Sequence, residues 1–442
     1  MCSAAYWIAS QAREINRYNP DNTSNLGRYY LTWAQFTPPD DQQGIARFQK
    51  ALDFFEKSTQ LAPQNVVVYN LLAQTYYLLG QYDLAEKILQ TSMALDPEFE
   101  QTPMLLGDTY AALGRPAEAV EAHRSAILLA PKIFADQNLE QRLNFYVSAS
   151  QSLTNSEATE PGQVVTPIQV IILAFEEARS LYPDELVVPR TLGHLYTRIG
   201  DYQSAIAAYE QAIQMGDNRP QTALAVADLY LTLKDYETAV AAYQRVLRMD
   251  PQNAQAHGNL GYVYAQLGRL DEAIQENLQV LQLTPNDYIT HRNLVLLYRD
   301  ADRLDEAIRQ TERMIEVTPE EELGTAYLLL GSLHEASEHP AKAIEAYQQA
   351  AVASPGSPQA LSALGNVYLQ SQQLEDALST FEALAQLAPD DYAVHQQLAM
   401  IYWQLERYDE ALAAANQALS LAPEDMRESL QQIIAQLEAE KG

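Results

Sequence analysis

The sequence predicts an all-α chain of tandem helical hairpins, and three observations carry that prediction. Prolines that follow an apolar helical pattern recur at Pro63, Pro97, Pro131 and Pro183, then at Pro251, Pro285, Pro319, Pro355, Pro389 and Pro423. Most steps are 34 residues, and the 68-residue step has Asp217 where a middle proline would stand. Twelve residues before the marks lie Ala51, Ala85, Ala119, Ala205, Ala239, Ala273, Ala307, Ala343, Ala377 and Ala411, with Ile171 the exception. Twenty-one residues before most marks lies a tyrosine, as in Tyr76, Tyr110, Tyr196, Tyr264 and Tyr402, with His334 in the ninth unit. A fixed period of this length is the signature of a repeat architecture.

Within each unit two apolar-periodic segments of helical spacing flank a short polar turn. Gly80, Gly114, Gly200 and Gly268 suit the end of the first helix, where a left-handed residue costs least without a Cβ. Asp271-Glu272, Asp305-Glu306 and Asp409-Glu410 place carboxylates at the positive end of the second helix. The recurrent alanine marks a close crossing of two helices, with the tyrosine ring filling the space beside it. The proline ends one hairpin and opens the next, because it tolerates a first helical turn but not an interior.

Leu260-Gly261-x-x-Tyr264 with Ala273, Leu364-Gly365-x-x-Tyr368 with Ala377-x3-Phe381, and Leu192-Gly193-x-x-Tyr196 with Ala205-x3-Tyr209 resemble the tetratricopeptide repeat pattern. The resemblance implies a right-handed α-α solenoid, or superhelix, of about eleven hairpins over residues 24 to 425, closed by a C-terminal capping helix. Residues 1–65 would hold N-terminal helices and an irregular first repeat, with Thr37-Pro38-Pro39-Asp40-Asp41 lengthening its turn. Two regular repeats would follow over 66–133, then an irregular one over 134–185 with an inserted surface loop near 154–162. Seven repeats over 186–425 and the cap over 426–442 complete the division.

Asn19 to Tyr30, with Trp33-Ala34, is similar to the junction that precedes the repeat tail of bacterial O-antigen ligase and polymerase-like membrane proteins. That likeness implies bacterial origin and a role beside surface polysaccharide, while the membrane domain that would carry the chemistry is absent from the sequence.

Composition excludes several classes. Twenty-eight basic residues against 58 acidic ones leave a formal charge of −30, which repels phosphate backbones. Nucleic acid is therefore not an expected partner. The single cysteine, Cys2, can close no internal disulfide. No apolar run approaches the roughly 18 residues of a membrane span. Met1 to Ile8 has no basic segment ahead of an apolar one, so a cytoplasmic chain is the default, and an extracytoplasmic one follows if the sequence was cut from a membrane protein.

No phosphate loop, dinucleotide fingerprint or nucleophile elbow occurs, and the expectation is a non-enzyme without cofactor or metal. His334 and His339 stand five apart where a zincin helix needs four. His257, His291 and His395 occupy the position where the family pattern has Trp, and read as half-buried packing groups.

The groove remains. In the family, the second, fifth, ninth, twelfth and thirteenth positions of each first helix line the concave face. Applied to nine regular units this selects 45 residues with four basic and four acidic members, so the lining is neutral while the chain is not. The candidate binding residues are Arg190, His194, Arg198, Asp228, Tyr262, Arg292, Arg299, Asn366 and Trp403. The expected ligand is a peptide or protein segment, which makes the chain a scaffold. A glycan met by amides and aromatics, in a surface-polysaccharide system, is the alternative, and a structural assembly subunit is a third.

Overall fold

The computed structural model describes residues 10, 14, 19–36, 42–135, 138–154 and 166–441, and every regular element among them is helical. The turn at 37–41, the insert at 155–165 and Cys2 lie outside the described residues. The chain divides into two compact units, Met1–Leu233 and Lys234–Gly442.

The first unit begins with the pair Pro20–Gln35 and Gln42–Leu61, followed by the hairpins Val66–Leu78 with Tyr82–Leu95 and Gln101–Ala112 with Pro116–Leu129. Pro131 opens a separate four-residue helix, Pro131–Phe134, ahead of Leu139–Thr154 and Pro167–Leu181. Val187–Ile199 with Tyr202–Gln214, and then Pro220–Thr232, complete it. The second unit starts at Tyr236–Met249 and runs through five hairpins, from Ala254–Gln266 with Leu270–Leu283 to Tyr392–Gln404 with Tyr408–Leu421. It ends on Glu424–Lys441, which packs on Tyr408–Leu421. Within each unit almost every helix packs on its sequence neighbours, the pairing expected of a solenoid.

All ten marker alanines are fully buried. The glycine of each Leu-Gly pair has a steric reason of its own. A Cβ on Gly365 would stand 2.6 Å from the Phe381 ring, and one on Gly193 would stand 2.5 Å from Tyr209. In these two pairs the aromatic sixteen residues further on, from the second helix, rests directly on the first helix backbone, and at Gly261 the Asn277 amide takes that place at 2.6 Å.

The prolines act differently from the expectation. Pro63, Pro251, Pro285 and Pro389 lie in the turn three residues ahead of the next helix rather than in its first turn. Two residues after each stands the helix cap. Asn65, Asn253 and Asp287 accept the backbone N–H three residues on, and Asp391 that of Ala393. The prolines that do occupy the first helical position among the described residues are Pro20, Pro116, Pro131, Pro167, Pro220, Pro340 and Pro358, of which only Pro131 is one of the periodic marks.

The hairpin turns share one left-handed residue. It is glycine at Gly80, Gly114, Gly200 and Gly268, but Lys234, Asp302, Glu338, Gln372 and Glu406 also take φ of 57 to 60°. At Asp302 two backbone bonds hold the turn, Asp302 N–H to Arg299 C=O at 3.0 Å and Arg303 N–H to Tyr298 C=O at 2.8 Å. This is the six-to-one closure of a helix end, and it absorbs the roughly 1 kcal/mol that a side chain costs there.

Candidate functional site

Four of the selected first-helix positions, Gln74, Tyr77, Leu78 and Asp108, meet on one face in the first unit. In the first unit that face closes around a cavity of about 550 Å³. Its walls are the amides of Gln35, Gln74, Asn138 and Gln141, the rings of Tyr77, Tyr82 and Phe145, and Leu78 and Leu105.

Asp108 and Arg142 form its charged floor. Arg142 is buried; its Nε and Nη2 donate to the two Asp108 oxygens at 2.8 Å each, and Nη1 donates to the Phe134 carbonyl at 2.8 Å. His123 approaches the same carboxylate, Nε2 to Oδ1 at 3.1 Å. Because a carboxylate only accepts, Nε2 carries the hydrogen, and Nδ1 is left to accept the Tyr146 hydroxyl. Burial alone would raise the Asp108 pKa, but the bonds from Arg142 and His123 outweigh it and bring it to about 2. Full burial lowers the His123 pKa, so the ring is neutral, and burial likewise pushes the Tyr146 phenol up. The result is a rigid, internally neutralised base under a polar and aromatic chamber. Sequence reasoning missed this cluster, because Arg142 and Tyr146 belong to the irregular unit where the register gives no position to read. The signal was Asp108, an acid at a lining position one repeat length before Arg142.

The proposed residues divide between the two units. Arg190, His194, Arg198 and Asp228 belong to the first. Arg190 Nη1 lies 3.6 Å from Asp217, the residue at the missing proline mark. Asp217 is buried and accepts from Arg219 at 2.9 and 2.7 Å and from Thr222 at 2.9 Å. Burial raises its pKa, and these donors overcome that to hold it at about 2. Arg198 pairs with Glu140, and His194 is half-buried, edge-on to Tyr209 at 5.5 Å. Asp228 is half-buried, and its carbonyl accepts the Thr232 hydroxyl at 2.8 Å.

Tyr262, Arg292, Arg299, Asn366 and Trp403 belong to the second unit. Tyr262 is 51% exposed, and Asn366 is exposed on a cavity of about 560 Å³ with Gln359, Ser362 and Gln397. Arg299 is held by its neighbour Asp300 at 3.1 Å. Arg292 is exposed and forms no ion pair among the described residues. Trp403 corrects its expectation of exposure: the ring is half-buried, and its indole N–H donates to Glu440 of the last helix at 2.7 Å.

The histidines at the Trp position are packing groups with a shared bond. Nε2 of His257, His291 and His395 meets the carbonyl of the proline six residues earlier, at 3.1, 2.9 and 2.8 Å. Among the described residues no helix is long and apolar enough to cross a membrane.

Comparison with known proteins agrees with this architecture. Family models described as tetratricopeptide repeat match residues 46–101, 104–133, 184–252, 224–288, 292–358 and 356–424. The chain is 30% identical over 102 residues to tetratricopeptide repeat protein 21B of Mus musculus, covering 21% of this chain and 8% of that protein. It is 27% identical over 119 residues to small glutamine-rich tetratricopeptide repeat-containing protein 2 of Saccharomyces cerevisiae, covering 26% and 33%. It thus spans a third or less of the length of these relatives. A solved structure, YrrB, described as a TPR protein with an unusual peptide-binding site, aligns at 21% identity over 43% of this chain and 97% of that one, with a TM-score of 0.36. The repeated matches cover most of the sequence, and the chain belongs to the tetratricopeptide repeat family.

Proposed function

We propose that this chain is a non-enzymatic scaffold that holds a peptide or protein segment against the first-helix face. The observation that carries the reading is Arg292. It stands exposed at a lining position without an ion pair among the described residues, whereas Arg190, Arg198 and Arg299 each have a carboxylate partner. A guanidinium held ready in this way offers a planar fork to a carboxylate. Ile289, at the lining position one turn before it, is 65% exposed and supplies an apolar contact beside it. The segment that fits is acidic with one apolar or aromatic anchor.

The test is an array of acidic twelve-residue peptides, each carrying one aromatic residue, probed with the full chain. Arg292→Ala should weaken the best binder about 10-fold at low ionic strength, and wild-type affinity should fall as salt rises. Arg299→Ala should change it less than 3-fold, because that arginine is already occupied. Equal affinity of the wild type and Arg292→Ala at low salt would overturn the reading.

A further inference from the structure

Four hairpins carry the same three-residue device at the turn between their helices. Arg115, Arg269, Arg303 and Arg407 lie over the rings of Tyr110, Tyr264, Tyr298 and Tyr402, five residues earlier, at 4.6, 4.4, 5.0 and 4.8 Å. Each arginine also pairs with a glutamate three residues later, Glu118, Glu272, Glu306 or Glu410, at 2.7 to 2.9 Å. Ring, cation and anion close the hairpin as one unit.

At these three offsets the hairpin Leu323–Ala336 with Pro340–Ala353 carries His334, His339 and Lys342. The cation–anion pair is lost, and two imidazoles stand beside the Lys342 ammonium. His334 is only 5% exposed, and its Nδ1 has no hydrogen-bond partner among the described residues. The His339 ring lies 6.2 Å away, nearly perpendicular. An imidazole is shorter than the phenol it replaces, and a cavity of about 450 Å³ opens at the seam, lined by Glu312, Tyr327, His334, Lys342 and Glu345.

We propose that this ninth hairpin is an acid-released link in the second unit, closed while His334 is neutral and opening when His334 takes up a proton beside Lys342 and His339. The charged groups around His334 come from every packed element. Glu312 on the preceding helix and Glu345 on the following one favour its proton, whereas Lys342 and His339 oppose it. Pro358–Gln370 carries no charged residue. Glu320, Glu321 and Glu322 stand at the far end of the helix, about 18 Å or more along its axis. Glu335 accepts the Tyr347 hydroxyl and is already engaged. Burial is the largest influence on His334 and acts with Lys342 to depress its pKa. A depressed imidazole contributes stability at neutral pH, and that contribution is lost as pH falls below the ordinary 6.5.

Hydrogen exchange of the full chain at pH 7.5 and 5.0, corrected for the intrinsic rate, reads this directly. Peptides over 323–353 should exchange up to about 30-fold faster at pH 5.0, from a tenfold slope per pH unit below 6.5. The following hairpin, Pro358–Gln370 with Leu374–Leu387, has no histidine and should change less than 3-fold. His334→Phe, and the triple variant His334→Tyr, His339→Arg, Lys342→Glu that restores the common device, should each remove the acceleration. Equal behaviour of 323–353 and 358–387 in the wild type overturns the proposal, and needs no variant. Acceleration that persists in His334→Phe overturns it as well.

Discussion

Tyr196 donates its phenolic hydrogen to Glu176 at 2.9 Å, joining the first helix of one hairpin to the second helix of the hairpin before it. The same twenty-residue reach links Tyr76 to Glu56 at 2.7 Å and Tyr402 to Glu382 at 2.6 Å. At Tyr264 and Tyr368 the polarity is reversed, and Gln244 and Gln348 donate to the phenol at 3.0 and 2.8 Å. The recurrent tyrosine is thus a core ring with a polar tip that ties neighbouring repeats together.

Replacing Tyr196 by Phe keeps the ring and removes the bond, and should cost about 1 kcal/mol in chemical denaturation at pH 7. Burial, reinforced by Glu176, pushes the Tyr196 phenol up to about 12, and Tyr76 and Tyr402 behave alike. A raised pKa means that the folded chain holds the proton more tightly. Its contribution is complete below pH 10 and is lost as pH rises toward 12. The denaturation midpoint should be level from pH 7 to 9 and fall by pH 11, with the fall smaller in Tyr196→Phe.

Two glycines in first helices predict opposite signs. Ala in place of Gly within a helix normally stabilises by about 1 kcal/mol. Gly258 has only Val280 near its missing Cβ, at 3.9 Å, so Gly258→Ala should raise the melting temperature. Gly365→Ala drives the new methyl into the Phe381 ring and should lower stability by roughly 1 to 3 kcal/mol. Changes of the same sign in the two variants would contradict the close approach of Phe381 to the helix backbone.

Asp108→Ala leaves Arg142 buried without its carboxylate and should destabilise the first unit by about 3 to 5 kcal/mol. Asp271→Ala removes an exposed partner of Arg303 and should stay within about 0.5 kcal/mol. The Asp108 pKa is depressed, so its contribution is complete above the ordinary 3.8 and lost as pH falls toward 2. Acid titration followed by circular dichroism should show the wild type losing stability in that window and Asp108→Ala losing less.

The sequence was most informative where one geometry is used many times. Ala273 and Ala377 are legible because the same crossing requires a small residue at each repeat, and Gly268 because a left-handed turn favours it. Lys234 and Asp302 take the same backbone shape without announcing it, and at Asp302 the turn bonds rather than residue preference hold it. The register selected Tyr262 and Asn366, and both are exposed. Their electrostatics did not follow. Arg198 meets Glu140 from 58 residues earlier, and Trp403 meets Glu440 from 37 residues later, in elements that break the 34-residue period. A repeating pattern describes only what repeats, and Arg142, Glu140 and Glu440 all stand outside it.

Packing of each hairpin chiefly on the next also gives the second unit a discrete metric. Removing the hairpin Pro358–Gln370 with Leu374–Leu387 would bring Pro340–Ala353 against Tyr392–Gln404, two surfaces already shaped for the same kind of seam. The chain can therefore be shortened or lengthened in steps of one hairpin with its remaining seams intact.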